Sequence, residues 1–227
     1  STRSISIGFS RRTWAVRPTS IVSGSSQLSE GHARQPMIND YYLSELDLSL
    51  LRDFVLSNGV RRTYGKGEYL VCQGERRPLV GLITDGLFRH THTDALGRER
   101  TIGFSLPHEF VGEYTGCLCG REAMVGIQSL RRSEVYVVRY EVLARQWESS
   151  MEWQRLGRLV AEQLFVMTYK RLLDSYCATP EERYMDLMRH YPQLKELLPL
   201  REIASFIGVT PETVSKIRRK LLDGKIS

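Results

Sequence analysis

The spacing of apolar positions along the chain changes twice, and each change predicts a different kind of element. Between residues 43 and 56, apolar side chains recur with the three- and four-residue steps of an amphipathic helix. From residue 60 to about residue 140 the chain instead consists of short β-rich runs, and turn signals such as Asp85-Gly86 separate them. Regularly spaced short strands predict a small antiparallel barrel or roll.

A long helical segment is predicted from about residue 140 to residue 175, because helical spacing returns there without an internal proline. One stripe of this segment is apolar over a length that a small roll cannot cover alone. Pairing with a second copy in coiled-coil fashion would bury the stripe, and an ordinary core helix of a single chain is the alternative. The predicted dimerisation residues are Leu156, Val160, Gln163 and Met167.

Near the carboxyl terminus the pattern predicts two helices joined by a tight turn. Ile203 and Ala204 lie on the apolar face of the first helix, and Ala204 is small where the second helix must come close. Gly208 permits a left-handed turn residue. Thr210 and Pro211 are typical of the cap and the first position of the next helix. This is the build of a helix-turn-helix.

The second of these helices presents a polar face that suits a DNA groove. Groups able to bond base edges cluster near its N-terminus, where a recognition helix meets the major groove, and cations dominate its C-terminal end, where they suit phosphates. A solvated amphipathic helix with a basic face is the alternative. The predicted DNA-binding residues are Thr210, Glu212, Thr213, Ser215, Lys216, Arg219 and Lys220.

The net charge of +6 is concentrated at the two ends of the chain. Residues 1–36 carry five Arg against one Glu, and residues 200–227 carry six cations against three acids. We predict that residues 1–36 are a disordered tail, either added during cloning or translated from an upstream start, because the first methionine is Met37. The Arg and Ser content of this tail also resembles an organellar transit peptide. The basic C-terminal end favours a polyanionic partner.

The sequence contains no Ser-His-Asp arrangement, P-loop, H-E-x-x-H or Rossmann glycine pattern, so we expect neither an enzyme nor a cofactor. No metal site is expected either. His90 and His92 are predicted to share one strand face as a surface pair. No apolar run approaches membrane-spanning length, which predicts a cytoplasmic protein without a membrane partner.

The cysteines are predicted to be free thiols in a reducing cytoplasm, because they form no C-x-x-C pair. Two of them are expected to lie in the core. The spacing of Cys117 and Cys119 is too short for the usual metal fork and favours two packed thiols. The four cysteines are Cys72, Cys117, Cys119 and Cys177.

Four motifs, in this order along the chain, resemble those of the Crp–Fnr superfamily of bacterial transcription regulators. They are GEYLVCQGE at residues 67–75, the Asp85-Gly86 hairpin, Phe110-Val-Gly-Glu113, and Glu212-Thr-Val-Ser-Lys216. The resemblance covers residues 37–227. It implies an α+β fold with an N-terminal antiparallel β-roll of the cupin-like jelly-roll kind, a long dimerisation helix and a C-terminal all-α helix-turn-helix domain.

The same resemblance implies a transcription regulator that binds palindromic operators in double-stranded DNA as a homodimer, under control of an unidentified effector. RNA polymerase is a further partner that it implies. The expected division is a tail (1–36), a sensor domain (37–145), a dimerisation helix (146–177) and a DNA-binding domain (178–227). The alternative is a cyclic-nucleotide or small-ligand binding module with weak or lost DNA binding.

The resemblance also implies candidate effector-binding residues. Gly112 and Glu113 match two positions of the family's cyclic-nucleotide cassette. The family's phosphate-binding Arg-Ser/Thr pair falls on Ala123-Met124, whose side chains cannot hold a phosphate, so cyclic AMP is disfavoured and the effector stays unknown. Arg121 is two residues away and is expected to face the same side of an alternating strand.

The predicted recognition helix departs from the family pattern at two positions. Pro211 stands where the cyclic-AMP regulators carry a base-reading Arg, and Lys216 stands where Arg is usual. Lys contacts guanine as a point charge, without the planar fork of Arg. These departures favour an Fnr-like half-site over a cyclic-AMP regulator's half-site.

Overall fold

The computed structural model describes residues 46–224, so the tail predicted for residues 1–36 lies outside the described part. All described residues belong to one compact unit. The elements follow in the order α1 (Ser49–Asn58), β1 (Val60–Tyr64), β2 (Tyr69–Val71), β3 (Leu79–Asp85), β4 (Phe88–Thr93), β5 (Glu99–Ser105), β6 (Phe110–Gly112), α2 (Tyr114–Cys119), β7 (Gly126–Ser129), β8 (Ser133–Arg139), α3 (Tyr140–Trp147), α4 (Met151–Cys177), α5 (Pro180–His190), α6 (Leu194–Leu197), α7 (Leu200–Ile207) and α8 (Pro211–Leu222).

The strands of the described region form two antiparallel four-stranded sheets, ordered β1-β8-β3-β6 and β2-β7-β4-β5. The interior of the roll is filled by buried apolar side chains, with Phe88 and Ile127 from one sheet and Val135 from the other among them. The rings of Phe88 and Tyr64 meet edge-on at 5.8 Å between centroids. The predicted α+β fold with an antiparallel roll, a long helix and further helices is confirmed.

The turn between β3 and β4 shows why the Asp85-Gly86 signal was informative. Gly86 has φ of +119°, and a Cβ at this position would lie 2.1 Å from the Ser133 hydroxyl oxygen. A left-handed backbone and a close approach both require glycine there.

The predicted helical segment from 140 to 175 is wrong at one point, because residues 148–150 separate α3 from α4. The Ser150 side chain begins the new helix by accepting a hydrogen bond from the Trp153 backbone N–H. The Trp147 ring then packs against Gly157, where a Cβ would lie 3.1 Å from the indole.

Helix α2 was also not predicted, and it replaces part of a region expected to be strand and turn.

The C-terminal helices share their core with the roll. Phe104 and Leu106 of the roll lie in one buried cluster with Leu194, Ile203 and Ile217 of the helices. Helix α7 therefore packs directly on the β4–β5 hairpin. None of the helices in residues 46–224 has the length and apolar character needed to cross a bilayer.

Candidate DNA interface and sensor contacts

Helices α7 and α8 form a tightly packed pair with a left-handed turn between them. Gly208 ends α7 with φ of +77°, and the Val209 N–H bonds the Ala204 carbonyl at 2.9 Å. The Thr210 side chain caps α8 by accepting from the Thr213 N–H at 3.3 Å. Ala204, like the α8 residue Val214, is almost completely buried at the contact. The geometry matches the predicted helix-turn-helix.

The predicted polar face of α8 points away from this packing. Glu212, Ser215, Lys216 and Arg219 are exposed, whereas the α8 core residues are buried. Of the remaining predicted residues, Thr210 and Lys220 are exposed and Thr213 is half-buried. Their contact with DNA stays a prediction, but the orientation that it needs is present.

Local contacts distinguish the residues of this face. Two hydrogen bonds lower the pKa of the Glu212 carboxyl. The larger effect comes from the Glu212 backbone N–H and the smaller one from the Thr210 hydroxyl, and together they keep the carboxylate an ionised acceptor. Lys220 lies 3.7 Å from the Glu181 carboxylate of α5, so part of its charge is neutralised within the chain. The Arg219 guanidinium forms no hydrogen bond or ion pair within residues 46–224, which makes it the clearer candidate for a phosphate contact.

Glu202 on α7 is a candidate that sequence reasoning missed. Its carboxylate is only 3% exposed, and it accepts hydrogen bonds from the Arg89 guanidinium at 3.1 and 3.2 Å and from the Thr101 hydroxyl at 2.8 Å. Arg89 is held in turn by Gln128 at 2.7 and 2.9 Å and by Glu99 at 2.8 Å. One buried ionic cluster on β4, β5 and β7 therefore holds α7 against the β2-β7-β4-β5 sheet.

Two more contacts support this docking of α7. The Thr101 backbone N–H donates to the Ser205 hydroxyl at 2.8 Å. The Phe104 and Phe206 rings lie 5.5 Å apart. The one sequence signal for this contact was an acid, Glu202, next to the apolar Ile203. Its partner Arg89 is 113 residues away, and no local sequence pattern links the two residues.

The predicted effector residues have structural roles in the described chain. Gly112 ends β6, and a Cβ on it would lie 2.8 Å from the Leu79 carbonyl oxygen of the neighbouring strand. The buried Glu113 carboxylate caps α2 by accepting from the Gly116 N–H. Arg121 is exposed in the loop between α2 and β7, so the expectation that it lies on an alternating strand is wrong. The family's phosphate-binding position is taken by Ala123, which is buried in the roll.

The chain matches the cyclic nucleotide-binding domain family over residues 61–150. A curated relative, the transcriptional activator protein Anr of Pseudomonas aeruginosa, is 26% identical over 170 residues, which are 69% of this chain and 68% of Anr. Both matches support the resemblance to the Crp–Fnr superfamily.

Two solved structures share the fold of this protein. FixK2 from Bradyrhizobium japonicum has a TM-score of 0.63 at 20% identity, covering 74% of this chain and 86% of FixK2. The c-di-GMP responsive global regulator CLP of Xanthomonas campestris has a TM-score of 0.59 at 16% identity, covering 79% of this chain and 94% of CLP.

The residues predicted for dimerisation lie on the side of α4 that packs against α1 and α3 of the same chain. Leu156 is 7% exposed, and together with Val160 it packs in the cluster beneath α1 and α3. Gln163 and Met167 are half-buried on the same side of the helix. Leu156 and Val160 thus contact residues of their own chain, and their contact with a second copy stays a prediction.

The opposite side of α4 exposes a second apolar stripe. The Phe165 and Tyr169 rings stack at 6.0 Å between centroids, and the side chain of Tyr176 is 81% exposed. Steps of four, three and four residues place these side chains and Leu172 on one face. Leu173 and Val166 flank them and are also exposed. We call residues 165, 166, 169, 172, 173 and 176 the open stripe.

The two histidines of β4 have separate surroundings, because a β-bulge lies between His90 and Thr91. The half-buried His90 ring bonds the Ser105 hydroxyl at 2.9 Å, and the exposed His92 ring bonds the Met124 carbonyl at 2.8 Å. His90 is therefore not the surface residue that was predicted. Burial and the nearby Arg171 cation lower the pKa of His90 to about 4.

We expect the His90→Gln variant to lose less stability than the wild type as the pH falls from 6.5 to 4. In this range the unfolded imidazole binds a proton that the folded one does not bind, which destabilises the wild-type fold by up to about 1.4 kcal/mol per pH unit. Urea unfolding at several pH values measures the difference. His92→Gln, which removes an exposed imidazole from the same strand, is the matched control. Parallel curves for wild type and His90→Gln would contradict the prediction.

The cysteines are free thiols, as predicted, but they are not paired in the core. Cys117 is buried, whereas Cys72, Cys119 and Cys177 are exposed. Burial raises the pKa of the Cys117 thiol to about 11, which makes it unreactive. Within residues 46–224, no cluster of three or more His, Cys, Asp or Glu side chains could hold a metal ion.

Proposed function

We propose that the protein is a DNA-binding transcription regulator that acts as a homodimer on palindromic operators. The proposal rests on the polar face of α8, which points away from the packed α7–α8 pair. The turn, the cap and the core of this pair hold that face in the orientation that docking into a DNA groove requires. The proposal keeps the division of the chain at residues 145 and 177. It includes no catalytic step, and the relative Anr is likewise a transcriptional activator.

Roles on α8 follow from position and charge. Glu212 is an ionised acceptor in the first turn and suits the amino group of a cytosine. Ser215 and Lys216 follow on the same face, and Lys216 suits a guanine. Arg219 and Lys220 lie in the last turn, where cations suit phosphates. Thr210 and Thr213 form the N-terminal cap of α8. At that end of the helix they lie within reach of a DNA phosphate.

The second copy of the chain is proposed to cover the open stripe of α4. A 27-residue helix is about 40 Å long, which is enough for a parallel pair to bring two α8 helices to one side of the dimer. The stripe has the heptad-like steps of a coiled coil. Two α8 helices related by a two-fold axis would bind two half-sites about 34 Å apart, which is why the operator is proposed to be palindromic.

The effector stays unidentified in this proposal. Cyclic AMP is disfavoured, because neither Ala123 nor Met124 supplies the cation for the cyclic phosphate, and Arg121 lies in the loop before β7. RNA polymerase is proposed as a further partner of the DNA-bound dimer.

The test begins with duplexes selected from a random pool by the full-length protein. On the selected duplex we expect Glu212→Ala to relax the preference at one base pair by about 1–3 kcal/mol, because a single base-edge acceptor is lost. Arg219→Ala should weaken all duplexes alike and reduce the salt dependence, because it removes one phosphate contact. Binding to every single-base variant of the duplex, at two salt concentrations, measures both effects.

Two results would overturn the proposal. One is the failure of any duplex to be enriched, which would favour a small-ligand module that has lost DNA binding. The other is an enriched duplex whose base preferences are the same for wild type and Glu212→Ala, which would remove α8 from base recognition. Glu196→Ala, an exposed acid on α6 outside the DNA-facing surface, is the matched control.

A further inference from the structure

A cleft of about 750 Å³ lies outside the roll, between β5, the C-terminal end of α4, and helices α5 and α7. Its volume is typical of small-molecule sites. The cleft differs from the cassette region around Gly112 and Glu113, since neither residue lines it.

The floor of the cleft is apolar and partly aromatic. Phe104 and Phe206 line it with their rings 5.5 Å apart, and Leu187 and Ile207 extend the apolar surface. The Arg171 guanidinium lies 5.9 Å from the centre of the Phe206 ring. An aromatic group placed on this floor would meet the half-buried Phe206 ring and the Arg171 cation, a combination that stabilises π systems.

Most charged groups of the lining already serve the protein's own structure. Lys170 and Asp174 form an ion pair at 2.8 Å. Arg183 donates to the carbonyls of Ala178 at 2.6 Å and Ile207 at 2.9 Å. The Glu182 carboxylate accepts from the Thr179 N–H at 2.7 Å in the capping box of α5. These groups are therefore engaged before any ligand arrives.

Two cations of the lining are not engaged in this way. The side chains of Arg100 on β5 and Arg189 on α5 are exposed, and neither side chain forms a hydrogen bond or ion pair with another described residue. Together with Arg171 they leave the cleft with an excess of positive charge over an apolar floor. We propose that this cleft binds a small organic anion with an aromatic body.

A ligand in this cleft would lie against the contact that docks α7 on the β2-β7-β4-β5 sheet. Thr101 and Ser205 line the cleft, and the Thr101 N–H to Ser205 hydroxyl bond joins β5 to α7. A bound ligand would therefore change how α7 and α8 are held against the sheet. The consequence of that change for DNA binding rests on the proposed function. Binding itself does not rest on it and is tested without DNA.

The experiment uses the full chain and two fluorescent probes that share one ring system. 8-Anilinonaphthalene-1-sulfonate carries the anionic group, and N-phenyl-1-naphthylamine lacks it. Both are titrated into wild type, into the cleft variant Arg100→Ala/Arg189→Ala, and into the control variant Arg76→Ala/Arg132→Ala, which removes two exposed arginines outside the cleft. A third variant, Ile102→Trp, fills the cleft from a position that is 43% exposed.

We expect saturable binding of the sulfonate probe, about tenfold weaker in the cleft variant and within about twofold of wild type in the control variant. The uncharged probe should bind both variants within about twofold of wild type, and Ile102→Trp should weaken both probes. The proposal is overturned if the sulfonate does not saturate, if the two double variants bind it equally, or if Ile102→Trp changes neither affinity. Equal weakening of both probes by Arg100→Ala/Arg189→Ala overturns it as well, because the anion would then not be recognised.

Discussion

Replacing Arg89 by alanine is expected to lower the free energy of unfolding by about 3–5 kcal/mol, because the change leaves a buried carboxylate without its cation. Glu202 would keep the Thr101 hydroxyl at 2.8 Å and the Arg201 guanidinium at 3.4 Å, but the latter is a largely exposed side chain. Gln128 would also lose the donor that it now bonds. Urea unfolding monitored by circular dichroism measures the loss.

The double variant Arg89→Met/Glu202→Met distinguishes two contributions to the loss of stability, the unpaired buried charge and the lost packing. Replacement of both partners by apolar side chains removes the uncompensated charge, so this variant should recover most of the stability lost in Arg89→Ala. Arg131→Ala is the matched control, because Arg131 forms an exposed ion pair with Asp85 at 3.2 Å. Arg131→Ala should lower the free energy of unfolding by less than about 1 kcal/mol. A loss in Arg89→Ala no larger than in the control would show that the cluster does not hold α7.

The double variant Tyr169→Glu/Leu173→Glu is expected to convert the proposed dimer into a monomer. Both residues lie on the open stripe, and two-fold symmetry would bring four added carboxylates together in an apolar seam. Loss of the second copy should weaken binding to a two-half-site duplex by about 10²–10⁴-fold, because the second half-site is no longer bound at high effective concentration. Sedimentation velocity and duplex titration measure the two effects.

The control for this prediction is Ala161→Glu/Thr168→Glu, which adds the same charge to the same helix. Both residues are exposed and lie beside the open stripe rather than on it. This variant should sediment like wild type. If Tyr169→Glu/Leu173→Glu also sediments like wild type, the second copy does not cover the stripe.

Features that depend on neighbouring residues were predictable from the sequence. The turn at Gly86 and the turn at Gly208 need a left-handed backbone, and glycine provides it wherever the rest of the chain lies. Thr210 caps α8 through an atom three residues away. The outward face of α8 followed from its helical period, because Val214 and Ile217 define the inward face.

The faces of α4 could not be assigned in this way. Apolar residues lie on two opposite sides of the helix, around Leu156 and Val160 on one side and around Tyr169 on the other. The helical period gives the angle between two side chains but not which of them meets the sensor domain. The loop position of Arg121 was missed for a related reason, since helix α2 shifts the start of β7 to Gly126.

The sequence by itself determined the kinds of element, the turn and cap positions, and a polar face on α8, because each depends on contacts within a few residues. Only the tertiary structure decided that Arg89 and Glu202 form a buried pair, that α4 leaves its open stripe uncovered in one chain, and that a cleft with two unengaged cations forms beside α7. Such features join residues far apart in the chain, and local periodicity carries no information about which distant surfaces will meet.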